Sequence, residues 1–317
     1  MRIVPILFPS DLGRSDRGAP FASGFRGAPD VLLDLLEDQG IRFGRPVVVE
    51  VPRPEGPDAE DAPLKFDALH VVAATRLAEA VAATNAEGNF PLILGGDHTT
   101  LFGHLLGHAK RHPEGFGLAV LADARDDLLF PAPPVFSNKK RLREDPEVTR
   151  DGDAHAMALA GVLRHFPKGT ALATALEGCT LTPDHTSVVG VRTPPTAQVK
   201  RLRRKSKLEV WDMERLEFDG EQTYRSMLER HLARGPIALS IDVRGIDPEL
   251  MGAVHGPVPD GLDRAFLKRS LEQCLPHRDR ILGLDICELD PSADAPGSIG
   301  QVRFAETLGP FLRKLVR

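Results

Sequence analysis

The 317-residue chain has few cysteines and no long apolar segment, and each absence excludes a class of protein. Its three cysteines, Cys179, Cys274 and Cys287, are widely spaced and odd in number. They match neither a disulfide framework nor a CxxC metal site, and they indicate a reducing compartment. No stretch approaches the roughly 20 apolar residues that span a bilayer. The apolar run at residues 3–8 is too short for a signal peptide, so we expect a cytoplasmic protein with no membrane partner.

The chain also lacks a strong excess of either charge. It carries 40 Lys and Arg against 45 Asp and Glu, a formal net charge of -5. This balance gives no support to a nucleic-acid partner. The basic run at residues 200–205 contains no aromatic residue, and we interpret it as a solvated helix face.

Several common catalytic motifs are missing as well. No G-x-S-x-G elbow is present, and no P-loop or G-x-G-x-x-G follows a predicted strand. His104 and His108 are spaced as on one helix face, but Leu105 stands where zincin chemistry requires glutamate. We therefore assign this pair a structural or surface role.

What the sequence does contain is a regular alternation of short apolar runs and longer segments with helical period. The predicted strands are residues 3–8, 47–51, 91–94, 117–122, 187–191, 237–241 and 281–286. The predicted helices include residues 29–39, 69–88, 99–111, 155–165, 220–232, 264–273 and 305–315. Continuously apolar strands are typical of a parallel sheet covered on both faces. The pattern predicts one α/β domain over residues 1–317.

One segment interrupts this alternation. Residues 130–134 read FPAPP, and residues 139–146 read KKRLREDP. Prolines and mixed charges predict an inserted loop over about residues 128–152, and loops of this length in compact domains are usually functional or disordered.

Polar residues follow four of the predicted strands. The four segments are residues 94–99 (LGGDHT), 122–127 (ADARDD), 240–248 (SIDVRGIDP) and 283–291 (GLDICELDP). Because parallel strands present their carboxyl ends at one edge of a sheet, these side chains are expected to meet there. One histidine with several carboxylates suits a hard divalent ion such as Mn²⁺.

These segments resemble motifs of the arginase/agmatinase/formimidoylglutamase (ureohydrolase) family. Residues 95–98 match GGDH, and residues 123–127 resemble DAHxD with Arg125 in place of the histidine. Residues 240–248 are similar to SxDxDxxDP with Arg244 in place of the middle aspartate. His155 resembles the histidine of the HGMP-like segment, and Glu288 matches the glutamate that faces the substrate guanidinium. The resemblance implies a three-layer α/β/α sandwich with a mainly parallel sheet.

The resemblance also implies a metal centre that this chain has altered. In the family, two Mn²⁺ ions share a hydroxide that attacks the guanidinium carbon and releases urea. The ligands of the deeper ion are all retained and correspond to His98, Asp123, Asp127 and Asp242. The second ion needs, in addition, the two positions that are now Arg125 and Arg244. Arginine offers only hydrogen-bond donors, so neither can bind a metal.

The resemblance also implies catalytic or substrate-binding roles for three residues. Asp127 is expected to act as proton shuttle, His155 as acid or base, and Glu288 as the anchor of a cationic substrate. Leu129 replaces the asparagine of the family's DAHxDxN pattern, and residues 193–195 (TPP) lack the acidic groups with which arginases approach the substrate amino group. These departures argue against L-arginine as a substrate.

Three functions remain open from the sequence. The chain is either a catalytically silent regulator or scaffold, a one-metal hydrolase of a C–N bond in a guanidino or amidino compound, or a protein that uses Arg125 and Arg244 on an anionic ligand. The corresponding cofactor is one Mn²⁺, or another divalent ion, or none. The resemblance further implies a homo-oligomer, a trimer or a hexamer.

Overall fold

The computed structural model describes residues 1–14, 24–56, 58, 64–125, 128, 130–131, 148–149, 152–166, 169–195, 197–294 and 299–316. Its strands are β1 Ile3–Phe8, β2 Val47–Val48, β3 Phe90–Gly95, β4 Phe116–Ala122, β5 Phe130–Pro131, β6 Val148–Thr149, β7 Leu181–Val191, β8 Glu209–Asp212, β9 Ile237–Asp242 and β10 Ile281–Cys287. Its α-helices are α1 Ala28–Asp38, α2 Asp67–Ala86, α3 Thr100–Ala109, α4 Ala158–Val162, α5 Ala171–Leu176, α6 Ala197–Ser206, α7 Met213–Asp219, α8 Glu221–Arg234, α9 Arg264–Cys274 and α10 Ile299–Leu315.

Eight strands form one parallel sheet in the order β2-β1-β3-β10-β9-β4-β7-β8. The central strands are buried along their whole length, as expected for a parallel sheet covered on both faces. Alternate side chains of a strand enter different cores; in β4, for example, Leu118 packs on one face and Ala119 on the other.

Helices cover both faces of this sheet. The first core joins the sheet to α1, α8, α9 and α10 through residues such as Leu36, Leu228 and Leu308. On the opposite face, α2 to α6 pack through residues such as Leu77 and Leu105. The predicted three-layer α/β/α sandwich with a parallel sheet is confirmed.

The seven predicted strands are all present, but three details of the prediction differ from the structure. The strand predicted over residues 47–51 is reduced to β2, a two-residue edge strand. The edge strand β8 was missed because its four residues carry acids at both ends and give no apolar run. The helix predicted over residues 155–165 is a 3-10 turn, Ala154–Met157, followed by the short α4.

The basic run lies on α6 as expected. Val199 and Leu202 are buried under the helix, while Lys200, Arg201 and Arg204 are exposed. At the predicted insertion, β5 and β6 form a two-stranded parallel ladder. Most of residues 128–152 lies outside the described residues, so the inserted loop stays a prediction. Among the described helices, none combines the length and the apolarity needed to cross a membrane.

Buried neutral histidines make the stability of this fold dependent on pH. His70 of α2 is buried beside Phe102, and burial lowers its pKa from 6.5 to about 4 despite a hydrogen bond with the Leu12 backbone. The folded chain thus binds a proton at His70 more weakly than the unfolded chain does. The stability that His70 contributes is complete above pH 6.5 and is lost as the pH falls from 6.5 to about 4.

We therefore predict that the free energy of unfolding decreases on acidification and that His70→Asn reduces this decrease. Asparagine keeps a donor for Leu12 but does not titrate, and the difference should be on the order of 1–3 kcal/mol. Urea denaturation at a series of pH values measures it. The matched control is His255→Asn, since His255 is exposed; equal pH slopes for the two variants would contradict the prediction.

Candidate functional site

The candidate site lies at the edge of the sheet formed by the carboxyl ends of the strands. There, a backbone hydrogen bond joins the loops after β3 and β10. Gly96 begins the turn after β3, and an added Cβ there would stand 1.9 Å from the Ser10 carbonyl oxygen, so only glycine fits. The Glu288 amide after β10 donates to the Gly96 carbonyl at 2.6 Å. These backbone contacts fix the positions of His98 and Glu288 relative to each other.

His98, Asp123 and Asp242 meet at this edge from β3, β4 and β9. The Nδ1 atom of His98 lies 3.7 Å from Asp123 Oδ2 and 3.5 Å from Asp242 Oδ2. One donor atom from each residue fits within a 4.8 Å group, and all three residues are buried. The arrangement brings together three of the four residues predicted to hold the deeper ion. The fourth, Asp127, lies outside the described residues.

Arg244 lies in the middle of this group. Asp242 caps the 3-10 turn Val243–Gly245, accepting the Arg244 amide on Oδ1 at 2.8 Å. The guanidinium turns back onto the same carboxylate: Nε lies 2.9 Å from Oδ2 and 3.2 Å from Oδ1, and Nη2 also donates to Oδ2. Its Nε is 3.4 Å from Glu288 Oε2. The arginine is itself buried, so this is an interior ion pair.

Arg125 behaves differently from Arg244. Its backbone amide donates to Asp123 Oδ1 at 2.9 Å, but the residue is exposed. The two substituted second-metal positions are therefore not equivalent: only Arg244 places its guanidinium among the buried carboxylates of the described chain.

Glu288 is fully buried and has a left-handed backbone with φ 69°, an unusual conformation for a side-chain-bearing residue. Its Oε1 accepts the His98 backbone amide at 2.9 Å, and its Oε2 is paired with Arg14. Burial alone would raise the pKa of Glu288, but the Arg14 and Arg244 guanidinium groups hold it well below its usual value. Glu288 is therefore a carboxylate at neutral pH.

Arg14 is the residue that sequence analysis missed. It follows β1 by six residues in a segment without any motif, and only the tertiary structure brings it to Glu288. Its Cζ lies 4.4 Å from the centroid of the Phe25 ring, a cation–π contact. The site therefore contains a guanidinium group supplied by the chain itself.

His155 reaches the site from the 3-10 turn Ala154–Met157. Its Nδ1 lies 2.7 Å from the Gly13 carbonyl oxygen, a contact in which the ring nitrogen donates. Burial lowers the pKa of His155 to about 3, with Arg14 and Arg244 adding to the shift, so the ring is neutral at physiological pH. The predicted acid or base thus lies beside the segment that carries Arg14.

Asp285 belongs to a second cluster of buried polar side chains. Its carboxylate is held by His104 Nδ1 at 2.6 Å and by Ser240 Oγ at 2.8 Å. Cys287 is buried and burial raises the pKa of its thiol well above the usual value. His104 thus has the structural role expected for it.

The residues fit a metal only in part. A histidine and two carboxylates are a suitable donor set for one Mn²⁺. The Oδ2 atom of Asp242, however, already accepts two donors from Arg244, and a metal bound there would compete with the guanidinium. At the second position Arg244 supplies no acceptor atom, so that position does not fit an ion.

Comparisons with known proteins agree with this architecture. The model of the arginase family matches residues 6–308. Arginase of Bacillus caldovelox is 28% identical over 331 aligned positions that cover all of both chains. The crystal structure of that species' arginase superposes with a TM-score of 0.78 at 23% identity, covering 98% of each chain. Agmatine ureohydrolase of Thermoplasma volcanium superposes with a TM-score of 0.67 at 18% identity, covering 99% of this chain and 90% of that one.

The fold is that of the ureohydrolase class of α/β proteins. The chain belongs to the arginase family.

We predict that Arg244 stabilises the metal-free protein by neutralising Asp242 and Glu288. Arg244→Met keeps an apolar side chain of comparable length and leaves the buried carboxylates without one guanidinium. Removing one partner of a buried ion pair costs about 3–5 kcal/mol, and denaturant unfolding in the presence of a chelator measures the loss.

The control is Arg264→Met, which breaks an exposed pair with Glu306 at 3.3 Å. Its cost should stay below about 1 kcal/mol. If the two variants lose the same stability, the proposed neutralisation by Arg244 is wrong. If Mn²⁺ restores stability to Arg244→Met but not to the control, a cation has replaced the guanidinium.

Proposed function

We propose that this protein is a ureohydrolase-family member with a degenerate metal centre that lacks normal arginase activity and serves as a regulatory or scaffold subunit. The observation that carries the proposal is the pairing of the Arg244 guanidinium with Asp242, in which Nε and Nη2 both donate to Oδ2. In the family pattern, Asp242 is a metal ligand and position 244 supplies a further one. Here the second residue neutralises the first.

The electrostatics of the buried site support this function without a metal. The carboxylates of Asp242 and Glu288 are paired with the guanidinium groups of Arg244 and Arg14. A cation of the chain itself therefore already lies at Asp242, which is a metal ligand in the family pattern. Because hydroxide bridged by two ions is the nucleophile of the family reaction, losing the second ion removes that nucleophile.

A one-metal hydrolase is the alternative that a specific observation favours. The donor atoms of His98, Asp123 and Asp242 lie within 4.8 Å of one another, a separation that suits a single Mn²⁺. Such a centre lowers the pKa of bound water. Asp127 and His155 would then be the proton-transfer groups, and the substrate would be a guanidino or amidino compound. An anionic ligand on Arg125 and Arg244 is less well supported, because Arg244 is already paired.

The three widely spaced cysteines further support a cytoplasmic location. The family resemblance supports a homotrimer or homohexamer and a small molecule as ligand. The location, the oligomeric state and the ligand can each be tested without measuring metal content.

The first experiment measures metal per chain by elemental analysis after purification with Mn²⁺, and urea release from L-arginine, agmatine and 4-guanidinobutyrate. We expect no stoichiometric metal and no urea, since Arg244 holds Asp242. One equivalent of metal with urea release would establish the one-metal hydrolase instead. Two equivalents would contradict the interpretation of both arginines.

The second experiment restores the family residues with Arg125→His and Arg244→Asp together. These changes supply the two missing ligands, so Mn²⁺ binding should rise toward two equivalents, and urea release is the second readout. The matched control, Arg125→Lys with Arg244→Lys, keeps both charges and supplies no ligand at neutral pH. Equal metal content in the two double variants would show that the site has changed beyond these positions.

A further inference from the structure

We infer that Arg14 is an internal guanidinium ligand of Glu288 and determines the specificity of this site by excluding guanidino and amidino compounds from it. The inference rests on the proposed role of Glu288 as the anchor for a cationic group. It adds that the Arg14 side chain of the protein itself already occupies Glu288.

The backbone before Arg14 is held on both sides. The Gly13 amide donates to Asp97 Oδ2 at 2.6 Å, and the Gly13 carbonyl accepts from His155 Nδ1 at 2.7 Å. A Cβ on Gly13 would stand 2.5 Å from Thr99 Cγ2 and 2.8 Å from the His155 amide nitrogen, so the segment passes too close for any other residue. The backbone position from which the Arg14 side chain enters the site is therefore fixed.

Two contacts then fix the guanidinium. Nη2 donates to Glu288 Oε2, and the planar group lies over the Phe25 ring. Carboxylate on one side and an aromatic face on another are the features with which proteins recognise a guanidinium ion. The pocket therefore has the chemistry of a guanidinium site, and Arg14 fills it.

Both carboxylate oxygens of Glu288 already accept a donor inside the site. One oxygen accepts the His98 amide, and the other faces both Arg14 and Arg244. The Glu288 side chain has no exposed surface, whereas that of Arg14 is 15% exposed. A ligand approaching from solvent therefore meets Arg14 before it meets the carboxylate.

An intramolecular ligand has a large advantage over a free one. A tethered group competes at an effective concentration in the millimolar range or above. A free guanidino compound must also break the Arg14–Glu288 pair and leave the Arg14 charge to be solvated elsewhere. Native protein is therefore expected to show no saturable binding of simple guanidinium compounds at Glu288.

The test is chemical rescue. Arg14→Gly removes the internal ligand and leaves Glu288 paired with Arg244 alone, so the variant should unfold at a lower temperature than wild type. Millimolar guanidinium chloride, added to chelator-treated protein, should raise the melting temperature of this variant by roughly 2–4 °C. Wild type should not respond. Sodium chloride at equal ionic strength and urea, which has a similar shape but no charge, are the control additives.

Two further variants keep the test decisive. Arg14→Gly with Glu288→Gln lacks the anchoring charge and should not be rescued by guanidinium. Arg14→Lys retains a positive charge and should be nearly insensitive to it. If Arg14→Gly does not fold, Arg14→Gln provides the same opening with a neutral side chain of similar length.

The result that would overturn the inference is saturable guanidinium binding to wild type that disappears in Glu288→Gln, or no rescue of either Arg14 variant that folds. Because the assay uses metal-free protein and a melting temperature, it does not depend on hydrolysis. Urea release from a guanidino compound by wild type would contradict both the proposed function and the exclusion by Arg14, whereas failure of the rescue would overturn the role of Arg14 and leave the proposed function standing.

Discussion

A carboxylate in a protein interior costs several kcal/mol unless a cation or several donors compensate it. Glu288 has no exposed side-chain surface and a left-handed backbone, and it is surrounded by the His98 amide, Arg14 and Arg244. Much of the site follows from this requirement. The loops after β1, β3 and β9 contribute these three groups, and Glu288 itself follows β10, so its charge holds four loops together.

The parallel sheet makes this convergence possible. Strands β3, β10, β9 and β4 are neighbours, and all end at the same edge, so residues far apart in the chain become adjacent there. In the arginase family, this edge is expected to gather carboxylates around metal ions. In this chain the same edge gathers guanidinium groups. In this chain, the negative charge that gathers at this edge is compensated by Arg14 and Arg244.

Compared with apolar residues packed in the same space, buried ion pairs contribute little net stability, because desolvation of both partners opposes their attraction; removing only one partner is costly. The effect that we propose for these pairs is specificity. Under the proposed function, the Arg244 guanidinium pairs with Asp242 in place of a metal ion, and the Arg14 guanidinium pairs with Glu288 in place of a cationic substrate. In both cases a side chain of the chain itself supplies the cation that faces the buried carboxylate.

The sequence by itself determined the layered α/β fold and the segments that meet at the sheet edge, because burial on two faces produces long apolar strands and the GGDH-type motifs follow them directly. It also determined that Arg125 and Arg244 are unable to bind a metal, since this depends only on the chemistry of the guanidinium. It did not determine that Arg125 points to solvent while Arg244 turns onto Asp242, because side-chain direction depends on packing. Nor did it indicate Arg14, whose contact with Glu288 spans almost the whole chain and exists only once β1 and β10 are placed in the same sheet.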